Sequence, residues 1–183
     1  GRIIDRVGIK ERPAVVDKRS RMGDWKGDTV RGKGSSALVP LVERKSRQVV
    51  IHKVERATAE QTAAAIVDRL GAVSGLVKTL TFDNGKEFAY HVRVGELLDS
   101  DVYFARPYHS WERGTNENMN GLIRQYFPKG TDFDQMTDKE IAEVERKLNM
   151  RPRKCLGYQA PIEMFCEGSH WQDATKAGVA VIG

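Results

Sequence analysis

Asp28, Asp83 and Glu117 each stand where the surrounding sequence changes its pattern. Asp28 lies within a β-prone run (25–30), Asp83 follows the run KTLTF (78–82) at the turn Asp83-Asn84-Gly85, and Glu117 falls in the first turn of a helix expected over 114–127. If the strands carrying the two aspartates are neighbours in a sheet, and the helix packs across that edge, the three carboxylates converge. Three such groups in one place repel, so the cluster needs a compensating cation, and oxygen ligands with room for water favour Mg²⁺ or Mn²⁺. Two ions about 4 Å apart activate an attacking oxygen and stabilise a leaving one in an in-line phosphoryl displacement, with no protein nucleophile. One acid among twenty-five is ordinarily a solvated surface group. Only the combination, with the motifs around it, outweighs that bland reading.

Glu117, Gly121 and Arg124 recur at i, i+4 and i+7 and share a helix face. A small residue and a base beside a metal-binding acid let a phosphate backbone approach and be held. Asn116, Asn118 and Asn120 are poor helix formers, so three of them in five residues suggest hydrogen-bonding work, and Asn116 and Asn120 are taken as DNA contacts. His109, Trp111 and Arg113 precede this helix in a loop whose aromatic and basic groups suit stacking on DNA or gripping it; the alternative is a packed loop with Trp111 in the core. Glu87 reads either as a fourth acid of the site or as a residue favouring a helix N-terminus. Arg151, Arg153 and Lys154 suit target phosphates, against a plain helix-capping role for Pro152 and its neighbours.

The elements that must position these residues follow from periodicity. Runs 25–30, 37–44 and 47–54, separated by GKGSS and RKSR, read as three antiparallel strands in a meander. Thr58-x-x-Gln61 supplies a capping box for a helix ending at Gly71 or Gly75. The strand 78–82, a helix over 87–98, a strand at 102–104, the helix over 114–127 and an amphipathic helix over 137–150 complete the order βββαβαβαα. That order implies an α/β fold with a mixed, five-stranded sheet flanked by helices. Residues 1–22 read as a basic arm or linker, 23–166 as one catalytic domain and 167–183 as a tail without an assigned role.

The 183 residues suffice for one domain with a real core. No long apolar run or charged-then-apolar leader appears, so the expectation is a soluble intracellular protein. Cys155 and Cys166 have neither zinc-ligand nor redox spacing and read as reduced thiols. The first residue is Gly, as expected of a piece of something longer. The net charge of +5 is confined to residues 1–33, which hold ten Lys/Arg against five acids, and a second basic cluster spans 146–154. Such patches suit a polyanion, although a solvated face reads almost as well.

The segments WKGDTV (25–30), TFDNGKEF (81–88) and RPYHSWERGTNENMNGLIRQYFPKG (106–130) together resemble the catalytic blocks of bacterial insertion-sequence transposases with a retroviral-integrase-type core. Thirty-three residues separate Asp83 from Glu117, similar to the Asp-Asp-(about 35)-Glu arrangement of that superfamily. The insertion-sequence-thirty family is the best match, and LNMRPRKCLGYQAPIEMF (148–165) resembles its last block. The resemblance implies a ribonuclease-H-like fold and Asp28, Asp83 and Glu117 as catalytic, metal-holding acids. It further implies Arg124 as the base seven positions after the glutamate, and transfer of a 3′ hydroxyl onto target DNA by a multimer. A cytoplasmic location on the bacterial nucleoid goes with it. End recognition, the work of a helix-turn-helix region in that family, is not expected of this chain. Asp24 and the tail match no family pattern.

Other classes fare worse. Gly27-x4-Gly32-Lys33 resembles a nucleotide-binding loop but has Gly34 where a hydroxyl must meet Mg²⁺. A non-catalytic DNA-binding remnant is at odds with the three acids, a plain nuclease of the same fold is the nearest competitor, and a covalent Ser or Tyr intermediate is superfluous beside metal chemistry.

Overall fold

The computed structural model describes residues 3–107 and 119–168. Glu117, His109, Trp111, Arg113, Asn116 and Asn118 lie outside them. The strands are β1 (Asp24–Gly27), β2 (Val30–Arg31), β3 (Ala37–Glu43), β4 (Val49–Val54), β5 (Thr79–Phe82) and β6 (Asp101–Phe104). They form one mixed sheet in the order β4-β3-β1-β5-β6, with β2 also on β3; β1, β3 and β4 are antiparallel, whereas β1, β5 and β6 run parallel.

The expected first strand is present in two pieces. Gly27 opposes Leu41 and Val30 opposes Leu38, so β1 and β2 keep one register along β3 and are a single strand interrupted at Asp28 and Thr29. Pro40 explains the interruption. The Asp28 N–H donates to the Pro40 carbonyl at 3.2 Å, but in an antiparallel pair the opposing residue should donate back, and proline has no N–H.

The helices are α1 (Ala14–Lys18), α2 (Ala59–Gly71), α3 (His91–Leu98), α4 (Met119–Tyr126), α5 (Asp138–Met150) and α6 (Pro161–Gly168). One face of the sheet, with Trp25, Leu41, Leu80 and Phe82, packs on Ile66 and Leu70 of α2, Leu98 of α3 and Phe165 of α6. The other face, over β2, β3 and β4, packs on Ile123 of α4 and on Ile141, Val144 and Leu148 of α5. None of the described helices is long and apolar enough to cross a membrane.

Helix starts follow local chemistry. Thr137 and Glu140 form a full capping box at α5. At α2 the Thr58 hydroxyl accepts from the Gln61 N–H, but the Gln61 side chain accepts from Arg56 N–H instead, so only half of the expected box forms. The helix expected over 87–98 is a 3-10 turn (Lys86–Phe88) followed by α3. α1 and α6 were not anticipated.

The segment expected as an arm is folded onto the sheet. Val7 C=O accepts from Phe104 N–H at 2.9 Å, Gly8 bridges Phe104 in parallel, the Arg6 guanidinium donates to the Asn84 side chain, and Val16 is fully buried. Arg12, 6% exposed, donates to Thr81 Oγ1 at 2.9 Å and pairs with Asp17.

The outer edge of β4 is closed by side chains rather than by another strand. Asn149 accepts from Val49 N–H and donates to Val49 C=O, both at 2.8 Å; Glu145 accepts from Ile51 N–H at 2.7 Å; and Arg69 donates to Ile51 C=O at 3.0 Å while pairing with Glu145 at 2.7 Å. An open edge of this kind is otherwise a template for wrong pairing. Asn149→Ala strips two buried backbone groups of their partners, at about 1–3 kcal/mol each. We expect a lower urea midpoint with an unchanged slope; stability within about 0.5 kcal/mol of the parent protein, the range of a neutral surface change, would show that the edge does not depend on this amide.

Candidate functional site

The parallel pairing of β1 with β5 sets the site. Asp24 is level with Thr79, Trp25 with Leu80 and Lys26 with Thr81, a constant offset of 55. Continued two residues past Lys26, that offset brings Asp28 level with Asp83, each immediately beyond the C-terminal end of its strand element, on strands roughly 4.8 Å apart. Both residues line one small pocket with Lys26, Gly27, Arg44, Thr81, Phe82 and Ala105. The sequence reading needed these two strands to be neighbours, and they are.

Each carboxylate is held locally. Asp28 Oδ1 accepts from Thr29 N–H at 2.8 Å, and its Oδ2 accepts from Asn120 Nδ2 at 2.8 Å. Asp83 Oδ1 accepts from Gly85 N–H at 2.9 Å, which closes the expected turn, and Asn84 Nδ2 donates to Ala105 C=O. Both acids are half-buried. Gly27 makes room for the buried Phe82 ring of the neighbouring strand, because a Cβ there would stand 2.5 Å from it.

The sheet face beneath the acids is polar. Asp24, Lys26 and Asp28 alternate along one strand, and Thr79, Thr81 and Asp83 along its neighbour. Asp24, fully buried, accepts from Arg21 at 2.9 and 3.0 Å and from Thr79 Oγ1 at 2.8 Å. Burial pushes the Arg44 guanidinium down to about 10, with the charges of Arg12 and Arg47 acting in the same direction. Arg44 therefore stays protonated near neutral pH and places positive charge in the pocket of the two acids. The sequence reading missed Lys26, Thr81 and Arg44. For the first two the signal was available: polar residues at every second position of two adjacent strands share a face.

Asn120, expected to meet DNA, donates to Asp28. Arg124, one turn further along α4, donates to Arg31 C=O at 2.8 Å and to Pro128 C=O at 3.5 Å. Glu87 reaches Arg31 at 3.6 Å with its side chain 11% exposed. Lys154 is exposed, but Arg153 is only 3% exposed within the turn between α5 and α6, so its burial weighs against a phosphate contact. In the nucleotide-loop reading, backbone N–H groups would cradle a phosphate; here Ser35 and Ser36 N–H donate to Asp134, at 3.4 and 3.1 Å, and a carboxylate of the protein itself fills the loop. Cys155 and Cys166 are free thiols.

Asp28 and Asp83 could supply hard oxygen ligands of the kind that suit Mg²⁺ or Mn²⁺. Among the described residues no third Asp, Glu, His or Cys joins them in a group able to hold a metal, and Glu117 lies outside those residues.

No family model matches the chain. It is 48% identical over 166 residues to the transposase for insertion sequence element IS4351 of Bacteroides fragilis, covering 90% of this chain and 51% of that protein. It is 41% identical over 167 residues to transposase InsI for insertion sequence element IS30A of Escherichia coli strain K12, covering 91% and 44%. The chain thus spans about half the length of the curated relatives it matches. Among solved structures, the catalytic core domain of BIV integrase superposes with a TM-score of 0.59 at 22% identity, covering 82% of this chain and 98% of that one. A chain of a simian T-cell lymphotropic virus intasome superposes at 0.63 with 18% identity, covering 79% and 54%. These likenesses establish the integrase-core, ribonuclease-H-like fold.

Two level aspartates should take up a divalent ion. We expect Mn²⁺ to raise the melting temperature of the protein through preferential binding to the folded state, and Asp28→Asn or Asp83→Asn to remove that response. An equal Mn²⁺ response in either variant would take that aspartate out of the site.

Proposed function

As a relative of the insertion-sequence transposases, IS30 elements' included, with the fold of an integrase catalytic core, this chain is, we propose, the part of such a transposase that cuts and joins DNA. The observation that carries the proposal is the offset of 55 between β1 and β5, which sets Asp28 beside Asp83 where both strand elements end.

In this reading Asp28, Asp83 and Glu117 hold one or two Mg²⁺ or Mn²⁺ ions. When bound, such ions activate the attacking oxygen and stabilise the leaving one. The chain's own residues position the reactants. Thr29 N–H and Gly85 N–H each fix one oxygen of the adjacent carboxylate. Asn120 fixes the second oxygen of Asp28 from α4. In the sequence Glu117 precedes Asn120 by three residues and Gly121 by four, the spacing of residues that share a helix face. Exposed Lys154 and Arg151, together with His109, Arg113 and Asn116, are assigned to the DNA backbone. Transposition joins two element ends to one target, so the working assembly contains more than one copy.

Asp28→Asn, Asp83→Asn and Glu117→Gln are each expected to abolish Mg²⁺-dependent strand transfer in the whole protein while leaving its circular dichroism unchanged. Normal joining by any of the three variants would remove that acid from the mechanism. Nicked but never joined DNA from the unmutated protein would make it a nuclease.

A further inference from the structure

Arg124 sits in the last turn of α4, half-buried, and donates from both terminal nitrogens to main-chain carbonyls: Nη2 to Arg31 at 2.8 Å and Nη1 to Pro128 at 3.5 Å. One turn earlier on the same face, Asn120 donates to Asp28. Arg31 follows Asp28 by three residues on the same interrupted strand, so α4 is fastened to that strand at two points. The spacings differ: four helical residues advance about 6 Å, whereas three strand residues advance about 10 Å. The short side chain accordingly makes the first rung and a long one makes the second. Arg31 is tied in turn to Glu87, four residues beyond Asp83, by an ion pair at 3.6 Å. A continuous set of contacts thus runs from α4 through Arg31 to the turn beyond the second aspartate.

We propose that Arg124 is a positioning residue: by holding the Arg31 carbonyl it sets the register of α4 against the Asp28 strand, and hence where Asn120 stands relative to the two aspartates. This goes against the expectation of a phosphate contact and rests on the metal-dependent reading of the site. A guanidinium suits the task because its planar fork donates to two carbonyls at once, and a cation at a helix C-terminus is favoured by the helix dipole. Lysine supplies the charge without the fork.

Two measurements on Arg124→Ala and Arg124→Lys separate the roles. The first is duplex-DNA affinity in Ca²⁺ as a function of salt. A lost phosphate contact lowers the slope of log K against log salt by about 0.9 and weakens binding; a positioning role leaves the slope unchanged. The second is the Mn²⁺ concentration giving half of the thermal shift. It should rise roughly 10-fold or more in Arg124→Ala, the scale typical of residues that orient metal ligands, and less in Arg124→Lys. Asn120→Ala should show a similar rise, and the double variant should fall short of the sum of the two effects, as expected for residues acting through one contact. A reduced salt slope with unchanged Mn²⁺ response would overturn the proposal, as would Mn²⁺ and salt responses both equal to those of the unmutated protein. If Asp28→Asn and Asp83→Asn also leave the Mn²⁺ response intact, it is the metal-site reading that fails; if they abolish it and the Arg124 variants do not change it, only the positioning role falls.

Discussion

Two carboxylates held level on adjacent parallel strands are a liability that the rest of the molecule has to manage. The offset of 55 between β1 and β5, continued two residues past Lys26, brings Asp28 level with Asp83, and both follow directly on central strands of the sheet. A cation is the natural occupant between hard oxygen groups gathered in this way. Each acid accepts a backbone N–H that fixes one of its oxygens, and the layer below is rich in arginine, with Arg44 pushed down to about 10 by burial and so still charged near neutral pH.

The N-terminal segment takes part in this arrangement. Arg12 reaches Thr81, two residues before Asp83; Arg6 reaches Asn84, one residue after it; and Val7 and Gly8 lie along Phe104. The basic excess at the start of the chain is thus partly internal. Arg12, Arg21 and Arg44 are engaged with the polar face of the sheet, and a charge count that assigns all ten bases to DNA overstates what the surface offers a polyanion. The same correction applies at the other end, where Arg153 is buried and its neighbour Lys154 is exposed.

Much of the fold was legible because each strand ends on turn chemistry: GKGSS, RKSR and DNG mark real boundaries. The neighbouring of the first and fourth predicted runs was a condition the sequence could state and only the structure could meet, since pairing between residues 55 apart leaves no local trace. α1 and α6 escaped notice for the opposite reason. They are five and eight residues long, stabilised by packing Val16 and Phe165 rather than by any periodic stripe long enough to detect. Asn120 was singled out for its hydrogen-bonding capacity and as a DNA contact, and its donation to Asp28 left no local trace in the sequence. Propensity shows that a residue bears a cost, not what the cost is for.

Pro40 separates what is rigid in the site from what can adjust. Opposite Asp28 it accepts one ladder bond and returns none, so the strand is anchored at the Asp28 N–H and unzipped for the next two residues, closing again at Val30. Thr29 falls between two hydrogen-bonding positions of the ladder, so its N–H does not face β3. It donates to Asp28 Oδ1 instead. With one oxygen held from within its own strand, the orientation of the carboxylate is completed by whatever takes the other, and that is Asn120 on α4. The sheet therefore decides where the acid is, and α4 decides how it faces. A shift of α4 along the strand would turn Asp28 without moving it, which makes the second attachment at Arg31 the contact on which the facing of the acid depends.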